Sequence, residues 1–137
     1  MSEPPGLRPI APPELAAPRG YSHGVLAPAG GQLLFVAGQT GGDASGRVVS
    51  GDFTAQFEQA LRNVVAVVRA AGGEPAQLAR LTIYVTDRGE YSAALQAVGE
   101  AYRRVVGRHC PAMALLEVRG LVDPAAKVEI EATAVLI

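Results

Sequence analysis

Apolar residues recur along this chain with two periods, and the switches between them mark out its elements. Residues 33–37 form a short apolar run, LLFVA, that ends in Gly38-Gln39 and predicts a buried strand. From Asp52 to Ala71 the spacing becomes helical. Phe53, Phe57, Ala60, Leu61, Val64, Val68 and Ala71 follow one apolar face, while Glu58, Arg62 and Arg69 lie off it. Alternation returns in LARLTIYVT, residues 78–86, where Leu81, Ile83 and Val85 share one side and Thr82 and Tyr84 the other. A second helical stripe, Tyr91, Ala94, Leu95, Val98, Tyr102 and Val105, begins at about Tyr91. The chain ends in two extended runs, Ala112–Val118 and Lys127–Leu136, which a turn-rich link over 119–126 would join as a terminal hairpin. In the last run Val128, Ile130, Ala132 and Ala134 face one way and Glu129, Glu131 and Thr133 the other.

The punctuation agrees with this division. Asp52 suits the amino end of the first helix, Gly72-Gly73 followed by Pro75 stops it, and Gly107 closes the second. Residues 40–46, TGGDASG, are rich in turn formers but lack the Gly-Lys-Ser/Thr of a P-loop and the glycine spacing of a dinucleotide site, so they predict a hairpin or wide turn. Residues 1–20 hold six of the ten prolines and little apolar periodicity, which predicts an extended or poorly ordered arm preceding a domain over 21–137. That arm is expected to be dispensable for the core. Strands, helix, strand, helix and two strands, without an internal repeat, make an α+β layer whose two helices cover one face of the sheet. Leu33–Ala37 and Met113–Leu116 are apolar on both sides. Nothing else in the chain buries the second face, so the domain is expected to self-associate.

Composition narrows the remaining choices. Apolar residues make up 49% of the 137, with three Phe, four Tyr and no Trp, so the core is aliphatic. Twelve Lys and Arg against 13 Asp and Glu leave a net charge of −1, which disfavours a nucleic-acid partner. The lone Cys110 makes no internal disulfide and reads as a small buried or half-buried residue. His23 and His109 are remote from each other and lack a second ligand nearby, so no metal is expected. No apolar run reaches the roughly 18 residues of a membrane span, and no basic-then-apolar leader is visible, which points to the cytoplasm.

The tail PAMALLEV, a short loop and VEIEA resembles the carboxyl end of the Rid family, YjgF-like proteins called endoribonuclease L-PSP in older naming. Y-S-x-x-V at residues 21–25 and GQTGGD at 38–43 resemble the family's first strand and the loop before its first helix. The resemblance covers roughly 21–137. It implies a chorismate-mutase-like fold, with a mixed sheet carrying two helices on one face, assembled as a homotrimeric barrel with ligand clefts between subunits and no cofactor. It also implies site residues: Glu129 holding a water, Tyr21 reaching the pocket and sharing a proton, and the backbone at Gly38 lining it. On residue type alone, the preferred reading is that Tyr21 covers a sheet edge and Glu129 faces solvent. The best-known members carry, directly after the P-A pair, an arginine that grips a substrate carboxylate. Here that residue is Met113. Many members also place an asparagine near the start of the second helix, where this chain has Arg88 and Glu90.

Three functions follow. In the first, the chain hydrolyses an enamine- or imine-like small molecule with Glu129 and Tyr21, weakly or not at all on 2-aminoacrylate-type substrates; Arg119, six residues beyond Met113, is the candidate replacement for the absent arginine. In the second, Met113, Leu115 and Leu116 make an apolar pocket that binds a neutral or aromatic small molecule without turnover. The third, a ribonuclease or translation inhibitor, is disfavoured by the charge balance and the lack of an aromatic platform beside a basic groove. Arg103 and Arg104 are expected to be solvated.

Overall fold

The computed structural model describes residues 6–137. Its elements are β1 (Arg8–Ile10), β2 (Gly24–Leu26), β3 (Gln32–Thr40), α1 (Phe53–Ala70), β4 (Leu78–Val85), α2 (Arg88–Ala93), α3 (Leu95–Val105), β5 (Ala112–Glu117) and β6 (Val128–Leu136). The main sheet has the order β3-β6-β4-β5. Strand β6 is antiparallel to both neighbours, and β4 and β5 are parallel. The sheet is therefore mixed, as expected.

The two terminal runs do not form a hairpin. After β4 the chain crosses through α2 and α3, and a helical crossover returns the next strand parallel to the one it left. Strand β5 thus docks outside β4. The 119–126 link then carries β6 back into the gap between β3 and β4, where both of its edges are paired.

Helix α1 begins at its expected cap: the Asp52 side chain accepts from Ala55 N at 2.9 Å. Phe53, Phe57, Ala60, Leu61, Val64 and Val68 are buried as the stripe predicts, but Ala71 is exposed at the carboxyl cap. The stripe also contains a residue the apolar pattern passed over. Gln56 is fully buried; its Nε2 donates to Ser50 O and Ala125 O at 2.7 and 3.1 Å, and its Oε1 accepts from Lys127 N at 2.8 Å. It pins α1 to the link before β6.

The second helix is not continuous. It starts three residues early, at Arg88, with Asp87 accepting from Gly89 N and Glu90 N, and breaks at Ala94, whose φ of −111° is not helical. Helix α3 packs mainly on α1. Val98 and Ala101 are buried, whereas Leu95, expected in the stripe, is 55% exposed.

Val36, Leu81, Ile83, Val85, Val128, Ile130, Ala132 and Ala134 form the sheet side of one core with α1 and α3. The opposite face behaves differently. Leu33 and Phe35 are 62% and 74% exposed, and Leu116 is 45% exposed. The short run expected to be buried is thus buried on one side only within a protomer. The amino-terminal arm contributes β1, which pairs with β2 away from the main sheet. Among the described residues, no helix is long and apolar enough to cross a membrane.

Candidate functional site

The residues singled out from sequence fall into three separate cavities of the protomer. Tyr21, Met113 and Leu115 share the first, a cavity of about 760 Å³ between α3 and strands β4 and β5. Register explains their convergence. Met113 and Leu115 lie opposite Leu81 and Ile83 on β4, on the core-facing side of β5. Tyr21 is brought to them by Ser22, whose N–H donates to Pro111 O at 3.0 Å and whose backbone bridges in parallel to Ala112. The strand that Tyr21 was expected to open begins only at Gly24, so Tyr21 is a pocket-lining residue on the approach to β2. Its ring meets His23 edge-on at 5.4 Å.

Glu129 and Gly38 meet in a second cavity, of about 350 Å³, at the end of β3 and β6. The β3–β6 register shifts between Val36 and Gln39, placing Gly38 in the irregularity against Glu129. A Cβ at Gly38 would lie 2.9 Å from Glu129 Cδ. Glycine is therefore what allows the carboxylate to occupy its position. Asp43 and Asp123 line the same cavity, with Asn63. Asn63 Nδ2 donates to Thr40 O and Gly42 O, holding the turn in place. That turn is a tight hairpin, as expected, with Gly42 bridging to Val48. Asp43 Oδ1 accepts from Ser45 Oγ, Ser45 N and Arg47 N, and these bonds, the Ser45 hydroxyl first, hold its carboxyl below the usual range.

Arg119 lines a third cavity, with Glu90 and Lys127, and shares none with Met113. The residues offered at the start of the second helix have structural partners: Arg88 N donates to Glu117 at 2.9 Å, and Glu90 accepts from Lys127 Nζ at 2.8 Å.

The two histidines are pins. Nε2 of His23 and of His109 each donates to a carbonyl, of Ala16 and Leu78 respectively, both at 2.6 Å. Cys110 is half-buried and lines the cavity of Met113. Tyr102 donates to His109 O at 2.6 Å, and burial raises its phenol well above the ordinary value.

Sequence reasoning missed the arginines of the Met113 cavity. Arg19, Arg103 and Arg108 line it, and among the described residues no Asp or Glu does. For Arg103 a signal existed, because Leu95, Val98, Gly99, Tyr102 and Arg103 follow one helical face. Arg103 and its neighbour Arg104 are both exposed, and Arg104 Nη2 lies 2.6 Å from Glu58 Oε1.

The comparisons with known proteins agree with this architecture. The family model described as Endoribonuclease L-PSP matches residues 12–136. The RutC family protein y4sK of Sinorhizobium fredii is 38% identical over 103 residues, 74% of this chain and 78% of the relative. A Salmonella typhimurium protein named 2-iminobutanoate/2-iminopropanoate deaminase is 34% identical over 105 residues, 77% of this chain and 80% of its own. Among solved structures, YyfB of Yersinia pestis, described as a protein of unknown function of the conserved Rid family, superposes with a TM-score of 0.84 at 35% identity, covering 96% of this chain and 99% of that one. With its mixed sheet, its helices and a match along nearly its whole length, the chain belongs to the Rid family, the endoribonuclease L-PSP family of older naming.

Proposed function

We propose that this protein is a divergent Rid-type hydrolase that converts an enamine- or imine-like small molecule to a carbonyl compound and ammonia, in a cleft between subunits of a homotrimer. The observation that carries the reading is the division of the site. Among the described residues, the charged groups of the cavity that holds Tyr21 are arginines, and those of the cavity that holds Glu129 are carboxylates. Neither alone holds both groups the hydrolysis needs. The exposed Leu33, Phe35 and Leu116 of the open sheet face supply the apolar surface through which copies would bring the halves together.

In such a cleft water adds to the C=N carbon, Glu129 takes the water's proton and the nitrogen receives it. Collapse of the resulting carbinolamine releases ammonia and leaves C=O. Positioning and proton traffic supply most of what this reaction requires. Met113 sets the specificity. A buried charged contact is worth about 2–5 kcal/mol, and 3 kcal/mol of transition-state binding is roughly a hundredfold in rate. Small 2-aminoacrylate-type substrates, which offer little else to hold, are therefore expected to be poor.

The test is ammonia release from imines generated in the cuvette by an amino-acid oxidase, comparing wild type, Glu129→Ala and Met113→Arg. Expected are turnover that Glu129→Ala abolishes and a gain on small imino acids in Met113→Arg. Fast wild-type turnover of the small substrate would overturn the role given to Met113.

A second reading, a binding protein without turnover, is favoured by one feature: Met113 and Leu115 present neither acid nor base to the larger cavity. It gains if no imine is hydrolysed while Met113→Arg remains folded. The ribonuclease reading draws no support from a protein of net charge −1 whose acidic cavity would repel phosphates. The reading places its activity in the cytoplasm.

A further inference from the structure

We infer that His23 is a positioning residue for Tyr21: its ring holds the Tyr21 phenol in place, and the amino-terminal arm, through Ala16, holds that ring. What the phenol then does is the proton sharing of the reading above, on which this inference rests.

The chain around Tyr21 is tied down at three points. The ribbon of β1 and β2 closes the neck of a loop over 11–23, where Ile10 pairs with Gly24. Within that loop Pro12, Pro13 and Pro18 limit the conformations the backbone can sample, and Gly20, at a φ of 75°, turns the chain into Tyr21. Ser22 is the second tie. Its N–H donates to Pro111 O at 3.0 Å and its hydroxyl to Cys110 O, so it is buried against the start of β5. The third is His23, whose Nε2 donates to Ala16 O at 2.6 Å across the loop.

Ser22 occupies one side of this short extended stretch, where it bridges to Ala112, and Tyr21 and His23 project from the other. Their rings meet at 5.4 Å and 88°, the edge-to-face arrangement that aromatic pairs prefer. The bond to Ala16 fixes the plane of the imidazole, and the imidazole gives the phenol a wall. Tyr21 depends on that wall because it is 37% exposed. Its hydroxyl supplies no anchor. Among the described residues, Tyr84 and Tyr102 direct theirs to Glu131 and to His109 O, whereas the Tyr21 hydroxyl makes no hydrogen bond. It is therefore open to a substrate, and its placement rests on the ring contact. Displacing a reacting group by about 1 Å is enough to lose much of its effect. The arm thus contributes to the chemistry of the site while contributing little to the core.

Fluorine NMR of the full chain carrying 3-fluorotyrosine reads the placement of Tyr21 without turnover. Tyr21→Phe assigns its signal among those of the four tyrosines. In His23→Ala that signal is expected to narrow and move toward free 3-fluorotyrosine while the other three stay. Two further variants separate the ring from the bond. His23→Phe keeps a ring and loses the donor, whereas His23→Gln keeps a donor and loses the ring. The Tyr21 signal of His23→Phe should lie nearer wild type, and that of His23→Gln should match His23→Ala. On an imine substrate His23→Ala should lower kcat about tenfold and leave KM within about twofold. An unmoved Tyr21 signal in His23→Ala, movement of all four signals, or rescue by Gln and not by Phe overturns the inference and reduces His23 to a loop pin. Ammonia release that His23→Ala leaves unchanged also overturns it, with the hydrolase reading intact. A Tyr21 signal that moves as expected in a protein releasing no ammonia leaves the positioning role standing and removes the hydrolase reading.

Discussion

At the scale of single residues, two positions carry more than their type suggests. Gly38 is the first. An added Cβ would press on the Glu129 carboxylate, the mobile end of a side chain, so the carboxylate yields and not the backbone. Gly38→Ala is expected to fold with a stability change within about 1 kcal/mol yet lose turnover to the level of Glu129→Ala. Wild-type activity in that variant would show that Glu129 need not stand where it does. Gln56 is the second. Truncation leaves Lys127 N, Ser50 O and Ala125 O without their side-chain partner in a fully buried place. Gln56→Ala should therefore cost about 2–4 kcal/mol, read as a lowered midpoint in urea; a shift below 1 kcal/mol would mean that water replaces the amide. Gln56 was legible in principle, since Phe53, Gln56, Phe57 and Ala60 share one helical face and a polar residue there must find partners. Glu129 and Tyr21 were legible only through resemblance, because period-two alternation cannot separate a solvated glutamate from a poised one.

At the scale of elements, apolar periodicity located the strands of the main sheet and both helical regions, but not their neighbours. Strand β6 enters between β3 and β4 because of a crossover whose geometry no local pattern records. The break at Ala94 likewise has no glycine or proline to announce it. Within the arm, Arg8–Ile10 runs as a strand against Gly24–Leu26. All three of its residues are exposed and the pair stands apart from the main sheet. A protein starting at Gly20 should keep its melting temperature within a few degrees, since a lone two-stranded ribbon adds little. The tie between α1 and α3 has a pH signature. Hydrogen bonds from Arg104, then Arg62, hold the Glu58 carboxyl below its ordinary value. A group depressed on folding stabilises above its unfolded pKa, and that contribution fades as pH falls through the folded one. Glu58→Gln should lower stability at neutral pH by about 0.5–1 kcal/mol and flatten the acid limb below the usual carboxylate range. An acid limb identical to wild type would show that solvent already screens the network.

At the scale of the whole molecule, the open face of the sheet and the divided site make the same demand. Phe35, Leu33 and Leu116 face solvent on a sheet whose other face is filled by α1 and α3, and a protomer alone leaves them there. Closed cyclic association buries such a face with one repeated interface. The same closure would set the Tyr21 cavity of one copy against the Glu129 cavity of the next, joining a cationic half to an acidic one. This makes assembly testable through chemistry as well as through mass. Tyr21→Phe and Glu129→Ala, each purified inactive, should regain activity when unfolded together and refolded as a mixture. In randomly mixed closed rings about one cleft in four pairs an intact Tyr21 with an intact Glu129, so about a quarter of wild-type activity is expected. Light scattering on the same sample must show a trimer, and each variant refolded alone must remain inactive. If both residues instead acted within one protomer, every chain in the mixture would carry one defect and no activity would return. Recovery near one quarter therefore requires a site shared between subunits. Failure to recover, in a mixture that scatters as a trimer, would return both residues to a single chain and require the two cavities to open into each other there.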